Sequence, residues 1–170
     1  LTVFIAMLIW RDAPLVSMQL LWINLVTDGL PAIALGREAV EADVMDKPPR
    51  PKNEGIFAHG LGLQVVLQGF MFAALTLCGF AIGYHWGGGI SLDMGRTMAF
   101  LVLALSQVFH SYNMRSKHSL FKIGVFSNSY LNKAALISLV LMALVTFIPP
   151  VATAFGLVSL SPVMYLIALG

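Results

Sequence analysis

The chain has 170 residues, of which 58% are hydrophobic and only 11% are charged, and its mean hydropathy is +0.85. A soluble domain carries about 25% charged residues, so the composition predicts an integral membrane protein with no room for a soluble catalytic domain. The net charge of +2 is not gathered into a basic stripe, which argues against nucleic acid as a partner. The single cysteine, Cys78, excludes a disulfide framework.

Six hydrophobic segments divide the chain, and each should be a helix because a backbone in lipid must satisfy its own hydrogen bonds. The predicted fold class is an all-α membrane protein, an antiparallel bundle of transmembrane helices. The chain begins and ends inside a hydrophobic run too short to cross a bilayer, which takes about 20 residues. We therefore expect it to be a piece of a longer protein. The segments are residues 1–10, 15–36, 61–86, 97–113, 131–148 and 162–170.

The second segment carries an acidic residue, Asp28, in the middle of a hydrophobic run, whereas the other seven acidic residues fall between runs. A charge at that depth costs a few kcal/mol or more and usually faces a partner, a cavity or an ion path. Asn24 and Thr27 stand one helical turn before it, so the three share a face. Their amide, hydroxyl and carboxylate oxygens suit Ca²⁺ or another hard cation.

A weak point in the helix follows these residues. Gly29 lowers helix stability, and Pro31 removes the hydrogen bond to the carbonyl of Thr27. Transporters use backbone carbonyls freed at such breaks as additional cation ligands. The alternative is a kinked helix whose Asn24 and Thr27 form interhelical hydrogen bonds, which leaves Asp28 unexplained. One carboxylate does not satisfy a divalent cation that needs six to eight oxygens, so we expect the other acidic ligands to come from helices outside the chain.

Later segments add weaker signals. Gly79 and Gly83 are four residues apart in the third segment, a spacing that lets a neighbouring helix approach closely. Gln107 lies inside the fourth segment, and taken alone it is more typical of helix packing than of a ligand. The uncharged connection at 149–161 is expected to lie against the bilayer surface.

Basic residues predict the orientation. The loops at about 37–57 and 114–130, counting Lys133 just after the second, hold eight Lys and Arg residues, and the opposite connections hold two. By the positive-inside rule the two basic loops are cytoplasmic.

The order of residues from Gln19 to Ala32, QLLWINLVTDGLPA, continuing into MDKPPR at 45–50, closely resembles the sixth membrane helix and the following loop of Ca²⁺-transporting P-type ATPases. Sodium–potassium pumps are similar here but typically have aspartate at the position of Asn24 and glycine at that of Val26. The resemblance extends less sharply over residues 1–170, which look like the C-terminal transmembrane domain of such a pump.

The resemblance implies a role for individual residues. Asn24, Thr27 and Asp28 match cation ligands, and Gln107 matches a position that is glutamate in two-calcium pumps. A neutral side chain there implies a single-ion pump, like the secretory-pathway type and many bacterial pumps. The loop at 45–50 would face the phosphorylation domain.

The parent protein would be an ion-translocating ATPase with Ca²⁺ as the transported ion. The chain has no DKTGT phosphorylation motif and no P-loop, so ATP and Mg²⁺ would bind in cytoplasmic domains outside it. Those domains, the remaining helices and the lipid bilayer are the expected partners. The expected location is a bacterial plasma membrane, with an organelle membrane as the alternative. The open alternatives are a P-type pump for Na⁺, H⁺ or Mn²⁺, and a secondary cation transporter or channel.

Overall fold

The computed structural model describes residues 1–38, 45, 55, 60–115 and 124–169, so the expected coupling loop at 45–50 lies outside the described residues apart from Met45. Within these ranges the structure is helical and contains no strand. The helices are α1 Thr2–Ile9, α2 Ser17–Trp22, a π-helical turn Ile23–Asp28, α3 Gly29–Leu35, α4 Leu61–Tyr84, α5 Leu92–Asn113, α6 Ser129–Phe147, α7 Pro149–Ala154 and α8 Pro162–Leu169, with a short 3₁₀ turn at Trp86–Gly88.

Four helical stretches are long and apolar enough to cross a membrane, which confirms the all-α membrane fold class. They are Ser17–Leu35, Leu61–Tyr84, Leu92–Asn113 and Ser129–Phe147. The prediction that the fourth segment begins at residue 97 was wrong, because α5 begins at Leu92. The Ser91 hydroxyl caps it by accepting the Met94 N–H at 3.3 Å, and Asp93 lies in its first turn. Asp93 therefore belongs to the first turn of the helix and not to the loop before it. The helix dipole favours a negative charge at this end.

The centre of the bundle is α5, which packs against α4, the π-turn, α6 and α8. Its buried side chains are the largest group in the main core, which also contains residues from α4, α6, α8 and the connection before α8. The buried core residues of α5 are Met98, Ala99, Phe100, Leu101, Ala104 and Leu105.

Two glycines of α4 allow the close approach of α5 that their spacing predicts. A Cβ added at Gly83 would lie 2.6 Å from the carbonyl oxygen of Met94, and one at Gly79 would lie 2.8 Å from Cγ2 of Val102. The backbone of α5 therefore occupies the space that any larger residue at Gly83 would need.

We expect Gly83→Ala to destabilise the protein by about 1–3 kcal/mol, the usual cost of overpacking, because its methyl group would meet the backbone of α5. Gly69→Ala is the matched control, since Gly69 lies on the same helix and a Cβ there meets nothing within 4 Å. The measurement is the midpoint of thermal unfolding of the purified protein in detergent. Equal midpoints for the two variants would contradict the prediction.

The connection at 149–161 contains α7 and is partly built into the bundle, because its Leu157 and Leu160 are buried in the core. The Gln19 side chain, fully buried near the start of α2, donates to the carbonyl of Phe155 at 3.1 Å. Other residues of the connection, among them Pro149, Thr153 and Ser159, are exposed. Its position against the bilayer surface stays a prediction.

The two basic connections meet at one end of the bundle, as the charge count predicts. Arg115 of the second connection pairs with Glu38 of the first at 2.7 Å. Arg37 lies over the ring of Tyr130, 5.0 Å from its centroid. Most of both loops lies outside the described residues, and the assignment of this end to the cytoplasm stays a prediction.

Candidate cation site

The helix that carries Asp28 is α-helical at both ends and π-helical between Ile23 and Asp28. A π-type hydrogen bond joins a carbonyl to the N–H five residues later, and the residue five positions after Val26 is Pro31, which has no N–H. The Val26 carbonyl instead accepts the Gly29 N–H and, at 3.2 Å, the hydroxyl of Ser138. The sequence predicts a weak point in the helix near Gly29 and Pro31. The structure confirms it, as a widened π-helical turn and not as a break in the helix.

The widened turn places the three oxygen-bearing side chains in different surroundings. Asn24 and Asp28 are exposed on the surface of the described bundle, whereas Thr27 is 1% exposed. The Thr27 hydroxyl donates to the carbonyl of Ile23 at 2.8 Å. A hydroxyl that donates one hydrogen bond keeps two lone pairs, so the Thr27 oxygen can still coordinate a cation.

A cavity of about 170 Å³ brings together three of the four expected site residues. Thr27 and Asp28 line it from the π-turn, and Gln107 lines it from α5. Asn24 is not part of this lining. The remaining walls are formed by Pro31, Ala32, Leu35, Phe72, His110, Ser111 and Met114.

The amide oxygen of Gln107 is buried and has no hydrogen-bond partner among the described residues. A buried acceptor without a partner costs about 1–3 kcal/mol, so such an atom in a cavity indicates that a ligand or water completes the site. Asp28 forms no ion pair with any described basic side chain. The carboxylate therefore faces this cavity without a fixed positive partner from the described part of the chain.

The donor set is neutral apart from one carboxylate. In the ranges that the structure describes, no group of three or more His, Cys, Asp or Glu side chains could hold a metal ion. One carboxylate, one amide and one hydroxyl are hard oxygen donors, suited to Ca²⁺ rather than to a soft metal. Three such oxygens would fill only part of the six to eight positions around Ca²⁺.

Two residues of the cavity were not predicted as site residues. His110 lies one helical turn after Gln107 on α5, and its ring packs edge-on against Phe72 with centroids 5.0 Å apart. Ser111 also lines the cavity and donates to the carbonyl of Val108 at 2.6 Å. The sequence could have predicted that His110 lies beside Gln107, because residues three apart on a helix are neighbours.

The fold is that of a helical membrane protein, and its cavity is lined by one carboxylate, one amide and one hydroxyl from the expected site residues. The chain matches the family described as "Cation transporting ATPase, C-terminus" over residues 12–170 and belongs to that family.

Three relatives illustrate the match. A calcium-transporting ATPase of Bacillus subtilis (strain 168) is 42% identical over 100% of this chain and 19% of its own length. Calcium-transporting ATPase 1 of Schizosaccharomyces pombe is 40% identical over 81% of this chain and 15% of its own length. Calcium-transporting ATPase type 2C member 1 of Mus musculus is 34% identical over 92% of this chain and 17% of its own length. The chain thus spans a fifth or less of these relatives.

Proposed function

We propose that the chain, residues 1–170, is the C-terminal transmembrane domain of an ATP-driven Ca²⁺ pump and supplies part of its intramembrane cation site. The observation that carries the proposal is the cavity beside the π-turn, which both the Asp28 carboxylate and the Gln107 amide line. Among the described residues the carboxylate has no ion-pair partner and the Gln107 amide oxygen has no hydrogen-bond partner. A carboxylate inside a membrane helix is costly unless a cation meets it. The three relatives described above are all calcium-transporting ATPases, which supports Ca²⁺ as that cation.

The proposed ligands are the side chains of Asn24, Thr27, Asp28 and Gln107. Ca²⁺ takes six to eight oxygens, so other helices of the parent protein would supply the rest. The exposure of Asn24 and Asp28 on the described bundle supports this division, because a partner helix packed there would place its own oxygens beside theirs.

ATP and Mg²⁺ would act in cytoplasmic domains of the parent outside this chain. Phosphorylation of an aspartate there would move those domains, and the movement would change which side of the membrane reaches the site. The loops at about 37–57 and 114–130 would lie on the cytoplasmic side, with residues 45–50 next to the phosphorylation domain. The bacterial relatives favour the plasma membrane of a bacterium.

The test is ATP-dependent uptake of radioactive Ca²⁺ into inside-out vesicles that contain the full-length parent. We expect uptake with Ca²⁺ and, because Gln107 is neutral, about one ion bound per phosphoenzyme. Uptake driven by ATP with Mn²⁺, Na⁺ or H⁺ but not Ca²⁺ would reassign the ion. Cation flux that needs no ATP would instead identify a secondary transporter or channel.

A further inference from the structure

We propose that Ser138 of α6 is a positioning residue for the cation site, and this inference rests on the proposed function. Its hydroxyl donates to the Val26 carbonyl at 3.2 Å, across 112 positions of sequence. Ser138 is 0% exposed and Val26 is 9% exposed, so water does not compete for this hydrogen bond. The bond joins α6 to the middle of the π-turn.

The direction of this bond sets Ser138 apart from other hydroxyls of the bundle. A serine or threonine inside a helix commonly donates to the carbonyl four residues earlier on its own helix. Thr76, Thr97, Ser106 and Thr146 all do so, at 2.6–2.8 Å. Ser138 donates instead to a different helix, where the Val26 carbonyl accepts the Gly29 N–H and offers its second lone pair to the hydroxyl.

Pro31 explains why that carbonyl is available. The N–H that would complete a π-type bond to Val26 does not exist in a proline, and Ser138 occupies the open position. The Val26 carbonyl belongs to the peptide group whose nitrogen is that of Thr27. Holding this oxygen fixes the plane of the peptide from which Thr27 and then Asp28 project toward the cavity.

Ser138 would therefore act on Ca²⁺ affinity without touching the ion. When the bond is lost, the turn can exchange between π and α forms, and the two ligands are presented in the productive orientation for less of the time. The loss lowers affinity and leaves the phosphorylation chemistry, which takes place in other domains, unchanged.

The experiment compares Ser138→Ala with Thr146→Ala in the full-length parent. Both remove one buried hydroxyl from α6, but the Thr146 hydroxyl bonds to Met142 of its own helix at 2.8 Å. We expect Ser138→Ala to raise the Ca²⁺ concentration for half-maximal phosphorylation by ATP about three- to tenfold, the effect of one lost hydrogen bond. The maximal phosphoenzyme level should stay at the wild-type value, and Thr146→Ala should shift the Ca²⁺ dependence less than twofold.

Phosphorylation by inorganic phosphate without Ca²⁺ checks that each variant is folded. If Ser138→Ala is not recovered, Ser138→Cys replaces it, because a thiol has a similar size and is a weaker donor, and the same direction of shift is expected. Equal Ca²⁺ dependence of the Ser138 and Thr146 variants would overturn the positioning role. A wild-type parent without any Ca²⁺-dependent phosphoenzyme would instead overturn the proposed function.

Discussion

Asp28→Asn is expected to abolish the Ca²⁺-dependent phosphorylation of the full-length parent by ATP at micromolar Ca²⁺. Asparagine keeps the shape of the side chain and one oxygen but removes the negative charge, and no other described residue of the cavity lining is acidic. A divalent cation that enters a membrane site leaves most of its hydration shell, and neutral oxygens alone compensate poorly for that loss. The occupancy of the site, and with it the signal to phosphorylate, should therefore disappear.

The matched control for this variant is Asp93→Asn. The Asp93 side chain is 65% exposed and approaches Arg96 only to 4.0 Å, so its neutralisation should leave the Ca²⁺ dependence unchanged. Phosphorylation of Asp28→Asn by inorganic phosphate in the absence of Ca²⁺ should persist, which separates a lost site from a misfolded protein. Wild-type phosphorylation of Asp28→Asn at low micromolar Ca²⁺ would refute the role of Asp28.

The sequence was sufficient to locate the weak point of the helix beside Asp28, because Gly29 and Pro31 are local signals. It did not reveal that the weak point is a π-turn closed by Ser138, since that hydrogen bond depends on how two distant helices pack. The surroundings of Gln107 also depend on how distant helices pack. Taken alone, the position of Gln107 in an apolar helix is more typical of packing than of ligation. Only the structure shows that its amide oxygen lines a cavity and has no hydrogen-bond partner among the described residues.

Hydropathy located the membrane helices but could not predict how the connections pack. A segment without charge, such as 149–161, can face lipid or be covered by protein, and composition is the same in both cases. Leu157 and Leu160 are buried in the core. Conversely, Asp93 made the start of α5 resemble a loop, although an acidic residue in the first turn stabilises a helix.

Arg115 links Glu38, three residues after the end of α3, to the connection between α5 and α6. Its Nε and Nη2 donate to the two carboxylate oxygens of Glu38 at 3.0 and 2.7 Å. Nη1 donates to the carbonyls of Gly124 and Val125 at 2.9 Å, and Nη2 donates to the Ser127 hydroxyl at 2.7 Å. A bidentate arginine–carboxylate pair in which every guanidinium nitrogen donates a hydrogen bond is a strong form of ion pair. The Arg115 side chain is also buried, with 2% of its surface exposed.

Arg115→Ala is therefore expected to destabilise the protein by about 3 kcal/mol, near the lower end for breaking a buried pair, because the Glu38 side chain is 22% exposed and regains some water. Arg37→Ala is the control at the same end of the bundle. Arg37 is exposed and contacts the Tyr130 ring, so its loss should cost about 1 kcal/mol or less. The midpoint of thermal unfolding in detergent measures both, and equal midpoints would contradict the prediction.

The pH dependence of the same pair gives a second readout. Hydrogen bonds from Arg115, with a smaller contribution from Asn128, hold the pKa of Glu38 below its ordinary value despite partial burial. A carboxyl whose pKa is lower in the folded state stabilises that state above its unfolded pKa, and the stabilisation is lost as the pH falls through the folded pKa. The difference in unfolding free energy between wild type and Arg115→Ala should therefore be constant near neutral pH. It should shrink only in acid, below the ordinary pKa of glutamate. A difference that disappears between pH 6 and 8 would show that another group, and not Glu38, makes the pair stabilising.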